Sequence, residues 1–201
     1  MSREVCYTCH RAKVACLCAR IEKHANPVNI IVLQHPDEVK NSKGSAIIAE
    51  LGLKQYQAWV GEDFRQVKAL NELIENASEE MLVLFPAKQA VDLKRNMSEK
   101  AKYLIIIDAS WRKARKIWET NKQLHKLKCV KLVTDRSSNY RIRKVPQQGY
   151  LSTIESIVEG LRVLDKSPGA YQPLLDLFYE MIDFQISKMG HEVYVKNYKK
   201  E

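Results

Sequence analysis

The sequence predicts an α/β fold: a mostly parallel sheet with helices on both faces, preceded by a small Cys-rich segment. Three observations predict it. Short apolar runs at residues 28–33, 81–85 and 103–107 read as strands buried on both faces, which is how parallel sheets appear in sequence. Segments with helical spacing separate them, the alternation expected of stacked βαβ units. The first run ends in Gln34-His35-Pro36 and the third in Asp108-Ala109-Ser110, polar groups at the strand ends where such sheets bind ligands.

In chain order, residues 1–25 form a unit of their own by composition, and residues 26–201 the α/β domain. After the first strand, 45–53 reads as a helix, 57–60 as a strand and 64–76 as a helix. Pro86 stops the strand at 81–85. Residues 110–127 carry Trp111, Ala114, Ile117, Trp118, Leu124 and Leu127 on one helical face. A strand follows at 129–134, then helices at 153–164 and 174–188, and 198–201 form a short charged tail.

The chain of 201 residues has 45% hydrophobic residues, enough for a real core, and carries a formal charge of +9. Between Ala109 and Gly149 twelve Lys and Arg face only Glu119 and Asp135, a net of +10 that leaves the remainder nearly neutral. Such concentration is the footprint of a polyanion binder, although a charge run by itself is more often a solvated face. No apolar stretch approaches the roughly 20 residues of a membrane span, and residues 1–23 lack the apolar segment of a signal peptide. The expectation is a cytoplasmic protein with reduced thiols.

Four of the five cysteines, Cys6, Cys9, Cys16 and Cys18, fall within thirteen residues as C-x2-C-x6-C-x-C. Four thiolates so spaced suit a closed, structural zinc site. His10 and His24 are alternative ligands, and a disulfide pair is the competing reading in an oxidising compartment. Cys129 lies on a strand and reads as core.

Asp108 has two readings: a carboxylate capping the following helix, or, if Ser110 is the cap, a group released for chemistry. Trp111 is either core or a surface on which a base stacks. His35 is an ordinary loop histidine or a site residue. Ser152-Thr153-Ile154-Glu155 is the start of a helix with a capping box, whose amides could also hold a ligand carboxylate.

Taken together, these pieces resemble the DTW-domain family, the tRNA-uridine aminocarboxypropyltransferases. The resemblance runs from Cys6 to about Leu164. It is carried by the array ending Cys16-Leu17-Cys18, Leu33-Gln34-His35-Pro36 with Glu38, Leu84-Phe85-Pro86, Asp108-Ala109-Ser110-Trp111 with Arg112, Ala114 and Arg115, Tyr140-x-Ile142-Arg143-Lys144-x-Pro146, and Leu151-Ser152-Thr153-Ile154-Glu155. Two positions depart from the family pattern: Ser110 stands for the usual Thr, and Ala12 for a Pro in the cysteine array. The resemblance implies a SPOUT-like fold with a knotted C-terminal region that holds S-adenosylmethionine. It also implies transfer of the 3-amino-3-carboxypropyl group to N3 of a tRNA uridine, in the variable loop for similar bacterial members, with release of 5′-methylthioadenosine. On this basis Asp108, Ser110 and Trp111 are expected at the reaction centre. His35, Pro86, Arg143, Pro146, Leu151, Ser152, Thr153 and Glu155 are expected around S-adenosylmethionine, and Arg112, Lys113, Arg115, Lys116, Arg141 and Lys144 along the RNA. Neither a membrane nor an obligate protein partner is expected. The rivals are an RNA methyltransferase on the same kind of fold and a non-catalytic zinc-containing RNA-binding module.

Overall fold

The structure is a computed structural model that describes residues 4–133, 138–143, 150–167 and 169–198. Six strands form one sheet in the order β2-β1-β5-β3-β6-β4, every neighbouring pair parallel. They are β1 (Asn29–Gln34), β2 (Tyr56–Val60), β3 (Met81–Leu84), β4 (Val91–Asp92), β5 (Tyr103–Asp108) and β6 (Lys128–Lys131). The helices are α1 (Ala46–Gly52), α2 (Lys68–Ala77), α3 (Trp111–Thr120), α4 (Thr153–Leu164), α5 (Gln172–Met189) and α6 (His191–Tyr198).

Alternation along the strands sorts the core into two layers. Ile30, Val32, Leu104 and Ile106 point to one face and pack under α1, α4 and α5, with Ile48, Ile157, Leu161 and Phe178. Ile31, Leu33 and Ile105 point to the other, where α2 and α3 supply Leu70, Ile74, Ile117 and Trp118. The α/β expectation is thus met, with helices on both faces. Asp108 shares the parity of Leu104 and Ile106, so its side chain emerges on the α4 side. Gln34, in register beside it on β1, emerges there too.

The chain leaves β1 towards β2 at one edge and leaves β5 towards β6 in the opposite direction. The crevice between these adjacent strand ends is the topological switch point, the place where open parallel sheets bind ligands.

Several elements differ from the expectation. The helix expected over 110–127 stops at Thr120, and a 3-10 turn follows (Lys122–Lys126). Fully buried Asn121 causes the break. Its amide donates to the Ile117 carbonyl at 2.7 Å and the Glu62 carbonyl at 2.9 Å, and its oxygen accepts from the Phe64 amide at 2.6 Å. The helix expected from residue 64 begins at Lys68, because Phe64–Val67 close a turn first. The strand expected over 129–134 is Lys128–Lys131, and Thr134 lies outside the described residues. Two elements were not anticipated, the edge strand β4 and helix α6. The second begins after Gly190, whose φ of 83° lies in the left-handed region that favours glycine and ends α5. The C-terminal knot remains an expectation; residues 134–137 and 144–149, in the connection entering α4, lie outside the described residues.

Candidate active site

Asp108 ends β5 in a buried position, 8% exposed. Its Oδ2 accepts from Gln34 Nε2 at 2.9 Å and its Oδ1 from Thr153 Oγ1 at 2.5 Å. Both donors are neutral. Burial pushes the carboxyl pKa up, against the pull of these two hydrogen bonds. The carboxylate is therefore fixed in orientation by three elements, β1, β5 and α4, while remaining more basic than an ordinary Asp. It does not cap α3. Ser110 holds the extended N-cap position, and its hydroxyl makes no capping bond.

A cavity of about 240 Å³ lies over the ends of β3, β5 and β6. Leu84, Ile106, Leu132 and Leu151 give it apolar walls, Pro86 and Trp111 stand at one side, and Arg143, Thr153 and Ser156 supply polar groups. Asp108 is not itself in the wall, but its partner Thr153 and its neighbours Ile107 and Ala109 are. Arg143 is half-buried; it donates to the Ala109 carbonyl at 3.4 Å and lies 5.8 Å from the Tyr140 ring centroid. Trp111 meets Tyr150 edge-on at 4.0 Å.

Of the residues expected around a donor, the structure brings Pro86, Arg143, Leu151 and Thr153 to this cavity, with Trp111 beside them. Ser152 and Glu155 are directed elsewhere, into the capping box of α4. Glu155 accepts from the Ser152 amide at 2.7 Å, the Ser138 hydroxyl at 2.6 Å and the Asn139 amide at 2.9 Å, so it ties the preceding loop to the helix start. His35 is buried away from the cavity. Its Nδ1 accepts from the Asp37 amide at 3.1 Å, which places the proton on Nε2, facing Glu62 Oε1 at 2.9 Å. Pro146 and Lys144 lie outside the described residues. Gln34, Tyr150 and Ser156 had no assigned role. Gln34 was detectable by its parity with the core of β1, and Ser156 by its position three residues after Thr153 on one helical face.

Among the expected RNA contacts, Lys113 pairs with Asp37, Lys116 with Glu62 and Arg141 with Asp183. Arg112 and Arg115 are exposed on α3 and make no ion pair among the described residues.

Far from this crevice in sequence, the sulfur atoms of Cys6, Cys9, Cys16 and Cys18 lie within 4.8 Å of one another. Cys6–Cys18 and Cys9–Cys16 are each 3.8 Å apart. That is too long for a disulfide, about 2.05 Å, and equals the edge of a tetrahedron with metal–sulfur bonds of about 2.3 Å. His10, with φ of 55°, forms the tight turn after Cys9 and is not part of the cluster. Arg11 anchors the segment to the domain through its bond to the Gly44 carbonyl at 2.8 Å. Cys129 is core: its thiol donates to the Phe85 carbonyl at 3.2 Å.

A desolvated, hydrogen-bonded carboxylate at the switch point of a parallel sheet, next to a cavity that an aromatic pair borders and with exposed cations beyond it, is the candidate site of an α/β enzyme. The family model for the DTW domain matches residues 3–186, and the chain belongs to the DTW-domain family. Among curated relatives, the tRNA-uridine aminocarboxypropyltransferase 2 of Drosophila melanogaster is 32% identical over 92% of this chain and 76% of its own length. The proteins of that name from Macaca fascicularis and Mus musculus are 28% and 25% identical, and this chain covers 64% of each. Among solved structures, the SAM-dependent rRNA:acp-transferase Tsr3 from Vulcanisaeta distributa aligns with a TM-score of 0.46 at 16% identity, over 86% of this chain and 83% of that one. No helix among the described residues is long and apolar enough to cross a membrane.

Proposed function

We propose that the protein transfers the 3-amino-3-carboxypropyl group of S-adenosylmethionine to N3 of a uridine in tRNA, releasing 5′-methylthioadenosine. The observation that carries this reading is the Asp108 carboxylate at the switch point, held by Gln34 and Thr153 and raised in pKa by burial. Family membership and the activity for which the three relatives are named support it.

The donor requires an apolar wall for its adenosine and a partner for its carboxylate. Leu84, Ile106, Leu132 and Leu151 suit the first, and Arg143 the second by bidentate pairing. The sulfonium supplies the leaving group, because a neutral thioether departs from it readily. Asp108 then has one task at the acceptor: it takes the N3 proton as the N3–carbon bond forms and the carbon–sulfur bond breaks, with the electron pair going to sulfur. Thr153 places the carboxylate one hydrogen bond behind the cavity wall, and rotation of its hydroxyl opens Oδ1 to a base. Trp111 shapes the uridine side of the cavity. The rest of the rate comes from aligning N3, carbon and sulfur.

The four thiolates hold a structural zinc ion and leave no open position for chemistry. The C-terminal region is knotted as in SPOUT proteins, the acceptor uridine lies in the variable loop, residues 1–25 form a separate zinc unit, and the protein works in the cytoplasm. Mass spectrometry of tRNA nucleosides after incubation with protein and S-adenosylmethionine tests the reaction. 5′-Methylthioadenosine with a uridine heavier by one aminocarboxypropyl group is expected; S-adenosylhomocysteine with a methylated nucleoside would replace this reading with methyl transfer.

A further inference from the structure

Beyond the donor cavity, across the Trp111–Tyr150 pair, lies a second and wider depression of about 660 Å³. The loop after β3 forms one wall with Pro86, Lys88 and Gln89, and α3 forms the other with Arg112, Arg115 and Glu119. Phe85, Pro86, Trp111 and Tyr150 border both depressions, so the aromatic pair is a partition between them. Lys88, Arg112 and Arg115 are exposed and make no ion pair among the described residues, whereas Glu119 is engaged by Lys122 at 2.9 Å. The groove thus combines ring surfaces with three exposed cations outside any close ion pair among the described residues and one acid already paired with Lys122, the composition of a single-strand nucleic-acid site.

We propose that this groove binds the RNA nucleotide adjacent to the target uridine, a reading that rests on the proposed function. Its base stacks against the Trp111–Tyr150 partition, with the Gln89 amide facing the base edge. Its phosphate lies between Lys88 on one wall and Arg112 and Arg115 on the other. The partition separates this neighbour from the donor cavity, so the target base alone is extruded past Trp111. Lys88 and Gln89 are then acceptor-positioning residues on a loop that the chain's basic stretch, residues 109–149, does not include.

Lys88→Ala and Gln89→Ala test this, with Lys54→Ala as a control at the opposite end of the sheet, where β2 begins. Both groove variants alter exposed loop side chains. Each should raise the KM for tRNA by about 3- to 10-fold while leaving kcat and S-adenosylmethionine affinity as in the wild type. For Lys88→Ala the slope of log affinity against log salt should fall by about 0.7–0.9. Lys54→Ala should change none of these. In addition, wild-type protein irradiated with tRNA carrying 4-thiouridine next to the target should crosslink at Trp111, Tyr150 or the Lys88 loop. Unchanged KM and salt slope in both groove variants, or crosslinks confined to other surfaces, would overturn the proposal. Binding to tRNA measured without donor scores the groove separately, so a wild type that binds tRNA through Lys88 but releases no 5′-methylthioadenosine would reject the reaction and keep the site.

Discussion

Replacing Asp108 by Asn separates chemistry from stability, and the hydrogen-bond geometry fixes the expected sizes. Gln34 Nε2 can only donate, so the carboxamide oxygen of the variant must take the Oδ2 position facing it. The new NH2 then meets Thr153 Oγ1, which can turn from donor to acceptor. No buried polar group is left without a partner, and the expected stability change stays within about 1 kcal/mol, or about 2–4 °C in Tm for a chain of this size. Its sign follows from linkage. The folded chain holds the Asp108 proton more tightly than the unfolded chain, because burial raises the pKa. The ionised carboxyl therefore costs stability above its folded pKa, and that cost fades as pH falls. Asn lacks the cost, so the variant should match or exceed the wild type at pH 7–8 and lose that advantage in acid. Asp108→Ala, in contrast, takes the acceptor from the buried Thr153 hydroxyl and the half-buried Gln34 amide, at a cost of about 1–3 kcal/mol. Turnover of Asp108→Asn should fall by about 10²–10⁴, the usual contribution of a general base, with S-adenosylmethionine affinity kept. The assays are thermal melts at several pH values, equilibrium binding of S-adenosylmethionine, and 5′-methylthioadenosine release. Turnover within a factor of about three of the wild type, against the loss expected of a missing base, would refute the base role. A melt lowered by about 10 °C, well beyond the shift worked above, would refute the hydrogen-bond account.

Purified chain should contain one zinc ion by elemental analysis, and Cys9→Ser should lose it; a metal-free wild type would remove the structural-zinc assignment. Double charge reversal at Arg112 and Arg115 should weaken tRNA binding at low salt, as read from filter binding across a salt series, with S-adenosylmethionine affinity unchanged. Glu155→Ala removes the acceptor of three donors at the start of α4 and should lower Tm and speed proteolysis of the preceding loop. Gly52→Ala places a methyl group 2.3 Å from Leu174 Cδ2; the overpacking cost of about 1–3 kcal/mol should exceed the gain in helix propensity of up to about 1 kcal/mol, so a melt shows net destabilisation.

The central strands were legible because β1, β3 and β5 are buried on both faces and read as unbroken apolar runs. β4 was not, since Val91–Asp92 is a two-residue edge strand and two residues carry no period. The end of α3 was hidden for a different reason. The apolar spacing from Trp111 to Leu127 continues through Asn121, and only the buried tertiary partners of that side chain show why the helix stops there. In the site, the parity of Asp108 with Leu104 and Ile106 already tells which face it uses. Its partners are a matter of strand order: Gln34 lies 74 residues away and reaches it because β1 is placed beside β5. The capping box of α4 was readable from spacing alone and forms as read, and its formation occupies the same Ser152 and Glu155 that the resemblance had placed around the donor.

The choice of Gln and Thr, not Arg or Lys, as the partners of Asp108 bears on what the carboxylate can do. A cation in hydrogen-bond contact would orient it equally well but pull its pKa down and spend its basicity. Two neutral donors hold both oxygens while burial keeps the group basic. Arg143 is close enough to be felt, yet it acts more weakly than desolvation or either hydrogen bond and is directed to the Ala109 carbonyl. The exposed cations of α3 and the β3 loop lie on the far side of the aromatic pair. On the proposed reaction, positive charge is thus placed where a phosphate backbone would run and away from the Asp108 carboxylate. On the proposed reading, the Trp111–Tyr150 partition keeps the groove that takes the polyanion apart from the cavity beside Asp108, so the phosphate-binding cations leave the basicity of that carboxylate in place.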